Sequence, residues 1–309
     1  MSESTVILTG FLAAAVRIST PLLLAATGEM INERAGVINL GVEGAMLAGA
    51  LASAVGAAAG GPWAGVGLAI LAGVAVAGLF SMVAILARAD QIITGTAVTL
   101  ASVGLTGTIY RRAFGAAGPG LSLPTLGSIP IPGLKDIPVL GPALFDQPSL
   151  TYIAWLLVPL AWWFLFRSWW GLALRATGES GDAARASGVP VRRVQTLATL
   201  AGGALSGLAG ATLVLAQVGT FAEKMTAGRG FIAIAIVVLG RWHPAGVLVA
   251  ALLFGGASAL GPALQSVGIS SGYYLFNALP YVLTLAIMIA TSSATRTLAG
   301  QPAELTVAR

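Results

Sequence analysis

Two ionisable residues lie inside long apolar stretches of this sequence, and they are its first candidates for chemistry. Arg17 lies near the middle of the first stretch, and Glu43 lies near the start of the second, shortly after Asn39. A charge at the centre of a bilayer costs roughly 2.5–3.5 kcal/mol on insertion scales, so each such residue is expected to have a partner or a function. Two interpretations stay open: Arg17 and Glu43 form a structural ion pair, or Arg17, Asn39 and Glu43 contact a polar substrate.

Groups for catalysis are scarce. The chain has one histidine, His243, in a short turn, and no cysteine. An intramembrane serine protease needs a serine with a facing histidine, but Ser206 lacks a suitable motif and His243 is predicted at the interface. Metalloprotease signatures need two histidines, and a carboxylate dyad needs a second acid beside Glu43. We therefore predict no enzyme, no cofactor and no metal site.

The composition places these residues in a membrane. Apolar residues make up 57% of the 309 residues and charged residues 9%, against roughly 25% charged in soluble domains. The alternating strands of a membrane barrel are absent, whereas continuous apolar runs favour helices. The sequence predicts an all-α integral membrane protein.

The apolar stretches predict a polytopic helical bundle of about nine transmembrane helices, with eight or ten still open because glycine-rich segments can form broken helices. The polar residues 29–34 are expected to form a cytoplasmic turn between the first two spans. The predicted spans are residues 6–28, 35–58, 64–87, 92–110, 150–166, 194–218, 230–240, 245–265 and 273–289.

The arginines indicate the orientation. The segment of about residues 167–193 contains five arginines against one Glu and one Asp, so the positive-inside rule places it in the cytoplasm. The long loop of about residues 113–149 then lies outside, as does the N-terminus. The same rule explains the net charge of +5, so nucleic acid is not expected as a partner. We predict a single transmembrane domain over residues 1–309.

No phosphate-binding loop of the form GxxxxGK[ST] is present, and the only two lysines, Lys135 and Lys224, lie outside any such motif. If ATP drives this protein, another subunit must hydrolyse it. An ion-coupled secondary transporter would instead use intramembrane acids as cation relays, and Glu43 is the one clear candidate.

Three motifs carry a resemblance to a known family. Residues 28–44, GEMINERAGVINLGVEG, closely resemble a motif of the permease subunits of simple sugar and nucleoside ATP-binding cassette (ABC) importers, which are related to ribose and branched-chain amino-acid permeases. Residues 171–179 (GLALRATGE) and 183–191 resemble the cytoplasmic coupling segment of that superfamily. Residues 228–242 and 279–284 are also similar to this family, so the resemblance spans nearly the whole chain.

The resemblance implies a type II-like ABC importer permease in a prokaryotic inner or plasma membrane. Its expected partners are an ABC ATPase subunit, a second permease subunit, in a heterodimer more readily than a homodimer, and an extracytoplasmic substrate-binding protein. A branched-chain amino-acid permease remains the alternative within the class. The residues expected to couple to the ATPase are Arg175, Gly178, Glu179, Ala184, Arg185 and Gly188.

Overall fold

Helices account for nearly all of the regular structure. A computed structural model describes residues 3–115, 123–266, 278–282, 284–286 and 300–307. The helices are α1 (Glu3–Arg34), α2 (Val42–Gly60), α3 (Pro62–Ser81), α4 (Gln91–Phe114), α5 (Leu140–Phe145), α6 (Ser149–Arg167), α7 (Trp169–Glu179), α8 (Gly181–Ala186), α9 (Val191–Thr212), α10 (Arg229–Leu239), α11 (Pro244–Ser266) and α12 (Glu304–Val307). Segments of π-helix, Met82–Leu86 and Leu213–Val218, extend α3 and α9.

Seven helices in the described part of the chain are long and apolar enough to cross a bilayer. They confirm the helical membrane bundle and correspond to seven of the predicted spans. The predicted span 230–240 corresponds to α10, which has 11 residues and a length of about 16 Å, roughly half of the hydrocarbon core. The predicted span 273–289 lies mostly outside the described residues, although 278–282 and 284–286 are helical.

The two most buried membrane helices, α2 and α9, approach each other and α3 through glycines. A Cβ atom added to Gly49 of α2 would lie 2.5 Å from the carbonyl oxygen of Gly207 on α9. A Cβ atom added to Gly207 would lie 2.1 Å from the carbonyl oxygen of Ala69 on α3. Small residues permit this backbone contact, which provides dispersion attraction where lipid removes the hydrophobic drive for association.

The end of α1 differs from the prediction. Residues 29–34 do not form a turn, because α1 continues to Arg34 and the chain reverses over residues 35–41 instead. Glu29 and Glu33 are 0% and 2% exposed. Their polarity resembled a helix end in the sequence, but Asn32 and the backbone of Asn39 donate to Glu29, and the distant Trp242 donates to Glu33, inside the bundle.

The predicted external loop is partly ordered by short strands. β1 (Ser128–Pro130) and β2 (Asp146–Pro148) pair antiparallel and enclose α5 between them. The buried amide of Gln147 donates to the carbonyl oxygens of Ala143 at 2.7 Å and Ala13 at 3.5 Å. This part of the loop therefore packs on the outer half of α1, whereas residues 116–122 lie outside the described residues.

Candidate functional site

The reversal after α1 is a buried polar network. Glu29 accepts a hydrogen bond from the side-chain amide of Asn32 at 2.7 Å and another from the backbone N–H of Asn39 at 2.8 Å. The side chain of Asn39 in turn accepts from the N–H of Gly41 at 2.9 Å. Asn39 thus shapes the backbone before α2 and is itself only 1% exposed. These bonds satisfy backbone groups that leave helical geometry inside the bundle, as lipid requires.

A second buried contact joins α1 to the end of α10. The indole N–H of Trp242 donates to the carboxylate of Glu33, and both side chains are 2% exposed. The guanidinium of Arg34 donates through Nε to the carbonyl oxygen of Trp242 at 2.9 Å. The turn between α10 and α11 is therefore fixed to the carboxyl-terminal end of α1.

Glu43, in the first turn of α2, contacts the other end of α10. Its two carboxylate oxygens accept from the N–H groups of Gly228 at 2.8 Å and Gly230 at 2.6 Å. The first N–H groups of a helix have no intrahelical acceptors and carry a partial positive charge, so a carboxylate stabilises them. Because α10 has 11 residues and its other end is bonded to Glu33 near the carboxyl-terminal end of α1, this contact lies about 16 Å into the bundle from that end.

The structure does not have the ion pair between Arg17 and Glu43, one of the two interpretations of these residues. The Glu43 carboxylate is held by the backbone of Gly228 and Gly230, while the Arg17 side chain is exposed on α1. The carbonyl oxygen of Arg17 accepts from the side-chain amide of Gln217 at 2.7 Å. Hydropathy identifies charges within apolar stretches, but it cannot show that backbone N–H groups take the place of a cation as the partner.

The predicted coupling segment forms two short helices, each capped by a serine. Ser168 accepts from the N–H of Gly171 at 2.9 Å at the start of α7, and Ser180 accepts from the N–H of Ala183 at 3.3 Å at the start of α8. Such caps satisfy N–H groups that the first turn leaves unpaired. A short rigid projection results between α6 and α9.

This projection rests directly on the end of α1. A Cβ atom added to Gly178 would lie 2.3 Å from the carbonyl oxygen of Arg34, so only glycine allows the contact. The guanidinium of Arg175 lies 5.0 Å above the ring of Phe166, a cation–π geometry that ties α7 back to α6. Displacement of α7 would therefore be transmitted to both α1 and α6.

The other predicted coupling residues divide into buried and exposed positions. Ala184 is buried at the base of α8, whereas Glu179, Arg185 and Gly188 are exposed. Arg185 pairs with Asp182 at 2.7 Å, and their side chains are 64% and 94% exposed. The structure thus brings all six predicted residues into one segment whose outer surface carries charge.

A contact between this projection and the carboxyl-terminal part of the chain was not predicted. The carboxylate of Glu304 on α12 accepts from the N–H of Gly181 at 2.6 Å, at the start of α8. A Cβ atom added to Gly36 would lie 3.0 Å from that of Glu304, so α12 also lies against the reversal after α1. A contact between residues 123 positions apart has no local sequence signal.

A cavity of about 400 Å³ lies between α1, α10, α11 and the helical residues 278–286. None of Arg17, Asn39 and Glu43 is among the described residues that line it. The charged residue that does line it is Arg229, which lies in one of the family motifs but was not a predicted site residue. Arg229 follows Gly228 and precedes Gly230, and the N–H groups of these two glycines donate to Glu43. Glu43 therefore positions the backbone on both sides of Arg229.

Comparison with known proteins gives consistent matches over nearly the whole chain. The profile of the family described as "Branched-chain amino acid transport system / permease component" matches residues 11–292. TsgC13 of Haloferax volcanii, provisionally named a glucose ABC transporter permease, is 41% identical over 265 residues, covering 84% of this chain and 79% of TsgC13. The guanosine ABC transporter permease NupQ of Bacillus subtilis is 36% identical over 284 residues, covering 86% and 87%.

Related permeases occur in pairs in the same organisms. The nucleoside ABC transporter permease NupC of Lactococcus lactis is 36% identical over 251 residues, covering 77% of each chain. Haloferax volcanii and Bacillus subtilis each have a second related permease, TsgB13 and NupP respectively. Each of these is 28% identical to this chain. No solved structure matches the chain significantly.

Proposed function

This chain belongs to the family of permease components of branched-chain amino acid transport systems, and we propose that it carries a nucleoside or simple sugar for an ATP-driven importer. It is a multi-pass permease of the prokaryotic plasma membrane, with seven membrane-crossing helices in its described part. The substrate, the ATPase and the other subunits belong to the proposal.

The main support for this proposal is the packing of the segment α7–α8 against the end of α1. Gly178 contacts the carbonyl oxygen of Arg34, and Arg34 is bonded to the turn that follows α10. A displacement of α7 and α8 at their exposed surface would therefore be transmitted to α1 and α10, which both line the cavity. A projection of this kind fits the groove of an ATPase subunit, whose closure would drive the change of access.

The expected partners provide ATP hydrolysis, a second permease and delivery of the substrate. No phosphate-binding loop is present in the sequence, so ATP hydrolysis is assigned to a separate cytoplasmic subunit. The paired permeases of Haloferax volcanii and Bacillus subtilis support a second, different permease as the partner. An external substrate-binding protein would deliver the substrate, as in the simple sugar and nucleoside importers that the sequence motifs resemble.

A neutral substrate is favoured over an amino acid. Recognition of a zwitterion requires charges of both signs, whereas Arg229 is the charged residue among the described cavity walls and Glu43 is engaged by backbone N–H groups. The names of NupQ and NupC refer to nucleosides, and that of TsgC13 refers to glucose. A branched-chain amino acid remains the competing substrate in the test.

The test begins with purification from the native membrane in mild detergent, followed by mass spectrometry of co-purifying chains and an ATPase assay. We expect an ATPase subunit and a second permease. Uptake of labelled guanosine, uridine, ribose, glucose and leucine is then measured in cells with and without the chain. A lone chain without ATPase activity, or uptake of leucine alone, would contradict the proposal.

A further inference from the structure

Arg229 is a partly buried arginine beside a cavity in the helical bundle. It begins α10, whose N-terminus is held deep in the bundle by Glu43. The residue lines the cavity of about 400 Å³ together with Tyr281 and Ser258. Charged residues at this depth are rare and generally serve a pathway or a ligand. A cavity of this size lies within the range that holds small organic ligands.

Hydrogen bonds within the protein hold the guanidinium of Arg229 in place but use only some of its donors. Its Nη1 donates to the carbonyl oxygens of Met225 at 2.7 Å and Thr226 at 3.3 Å. Within the described residues, no carboxylate forms a salt bridge with it. An arginine presents five N–H donors in a planar fork, so donors remain for a ligand that offers neighbouring acceptors.

The walls of the cavity distinguish a nucleobase from a hexose. The polar side chains that line it are those of Arg229, Ser258 and Tyr281, and the remaining described walls are mostly aliphatic or proline side chains, including Ile232 and Pro262. A hexose carries hydroxyl groups around its whole ring, and many of them would be left without partners here. A nucleobase has two apolar faces and carries its polar atoms only around its rim, so its faces can pack on such walls while part of the rim meets Arg229.

We propose that Arg229 and Tyr281 form a nucleobase-binding site within this cavity, selective for 6-oxopurine nucleosides. The guanidinium fork pairs with the 6-carbonyl oxygen and the neighbouring ring nitrogen N7, the two adjacent acceptors that arginine recognises on guanine. The half-exposed ring of Tyr281 packs against a face of the base. This inference rests on the proposed importer function and narrows its substrate class.

The first test uses the absence of native cysteine. Ser258→Cys places a single thiol in the cavity, and its alkylation by a maleimide is followed by the mass of this chain in the reconstituted complex. We expect saturating guanosine to slow alkylation about tenfold and glucose to leave it nearly unchanged. Lys135→Cys, in the external loop, is the control and is expected to react equally with and without guanosine.

The second test asks whether the N–H donors of the Arg229 guanidinium recognise the 6-carbonyl group of the base. In a chain that carries Ser258→Cys, guanosine is expected to protect at about tenfold lower concentration than 2-aminopurine riboside, which lacks the 6-carbonyl. Lysine could still donate to the 6-carbonyl oxygen, whereas Arg229→Met removes every donor of the side chain, so in Arg229→Met the two nucleosides are expected to protect equally. A tenfold preference that survives in Arg229→Met would overturn the assignment of Arg229.

Parallel uptake measurements separate this inference from the proposed function. Guanosine transport by the intact complex without any protection of the thiol introduced by Ser258→Cys would overturn the binding site while leaving the importer in place. If the complex transports neither nucleoside nor sugar, the proposed function fails and the site fails with it. Transport together with selective protection supports both.

Discussion

The carboxylate of Glu43 accepts the backbone N–H of Gly230 at 2.6 Å and thereby joins the start of α2 to the start of α10 inside the membrane. The contact leaves no room for a side chain, because a Cβ atom on Gly230 would lie 2.6 Å from the Cα of Glu43. Two segments far apart in sequence thus meet at a single carboxylate. Since α10 also lines the cavity, the position of the cavity wall depends on this residue.

Replacing Glu43 is expected to impair the permease in proportion to the acceptors lost. Glu43→Ala leaves the N–H groups of Gly228 and Gly230 without their acceptors, and each buried unpaired donor costs about 1–3 kcal/mol. Glu43→Gln keeps one acceptor oxygen and is expected to lie between the wild type and Glu43→Ala. Thermal unfolding in detergent and substrate uptake measure the two effects. Glu223→Ala is the control, because its exposed pair with Arg111 contributes little.

Gly178 is expected to tolerate no side chain. Gly178→Ala puts a methyl group 2.3 Å from the carbonyl oxygen of Arg34, so α7 must move away from α1. We predict that uptake falls roughly tenfold or more, because α7 loses its seat on α1, and that ATP hydrolysis by the complex no longer responds to substrate. Gly104→Ala on α4 is the control, because a Cβ atom there meets nothing within 4 Å. Normal coupling in Gly178→Ala would contradict transmission through this contact.

The hydrogen bond from Trp242 to Glu33 is expected to stabilise the bundle. Trp242→Phe removes the N–H donor and leaves part of a buried carboxylate unsatisfied, which costs about 1–3 kcal/mol. Glu33→Gln in the same chain removes the charge, so the double variant is expected to regain part of the loss. A double-mutant cycle of thermal unfolding measures this coupling. Additive effects of the two substitutions would show that the bond contributes nothing.

The membrane helices could be predicted from the sequence because length and apolar composition are local properties. The seven spanning helices agree with predicted stretches, and the arginine-rich segment forms the capped helices α7 and α8. The deep polar contacts could not be predicted. Glu29 and Glu33 resembled a polar turn, and an ion pair with Arg17 was one of two interpretations of Glu43. The donors to Glu33 and Glu43 are an indole and backbone N–H groups that are distant in sequence.

The cavity was missed for a related reason. Arg229 follows a glycine and begins an apolar segment, so in the sequence it resembles a charge at the membrane boundary. Its depth follows only from the shortness of α10 and from the contact of Glu43 with Gly228 and Gly230. Hydropathy marks where a helix is apolar but does not show that the helix starts inside the bundle.

Two exposed salt bridges provide a matched test of the coupling segment. Arg185 pairs with Asp182 on α8, and Arg111 pairs with Glu223 near the outer end of α4. Exposed pairs contribute roughly 0–1 kcal/mol, so reversing either arginine is expected to leave folding nearly unchanged. Arg185→Glu is nevertheless expected to weaken binding of the ATPase subunit, because it changes the charge presented to that partner.

The two reversals are therefore compared in the same complex. We expect Arg185→Glu to reduce both uptake and co-purification of the ATPase subunit about fivefold, and we expect added salt to narrow this difference because it screens exposed charges. Arg111→Glu is expected to leave co-purification unchanged, since it faces away from the cytoplasm. Equal losses in both variants would indicate a general effect on folding, whereas full activity in Arg185→Glu would remove this surface from the coupling mechanism.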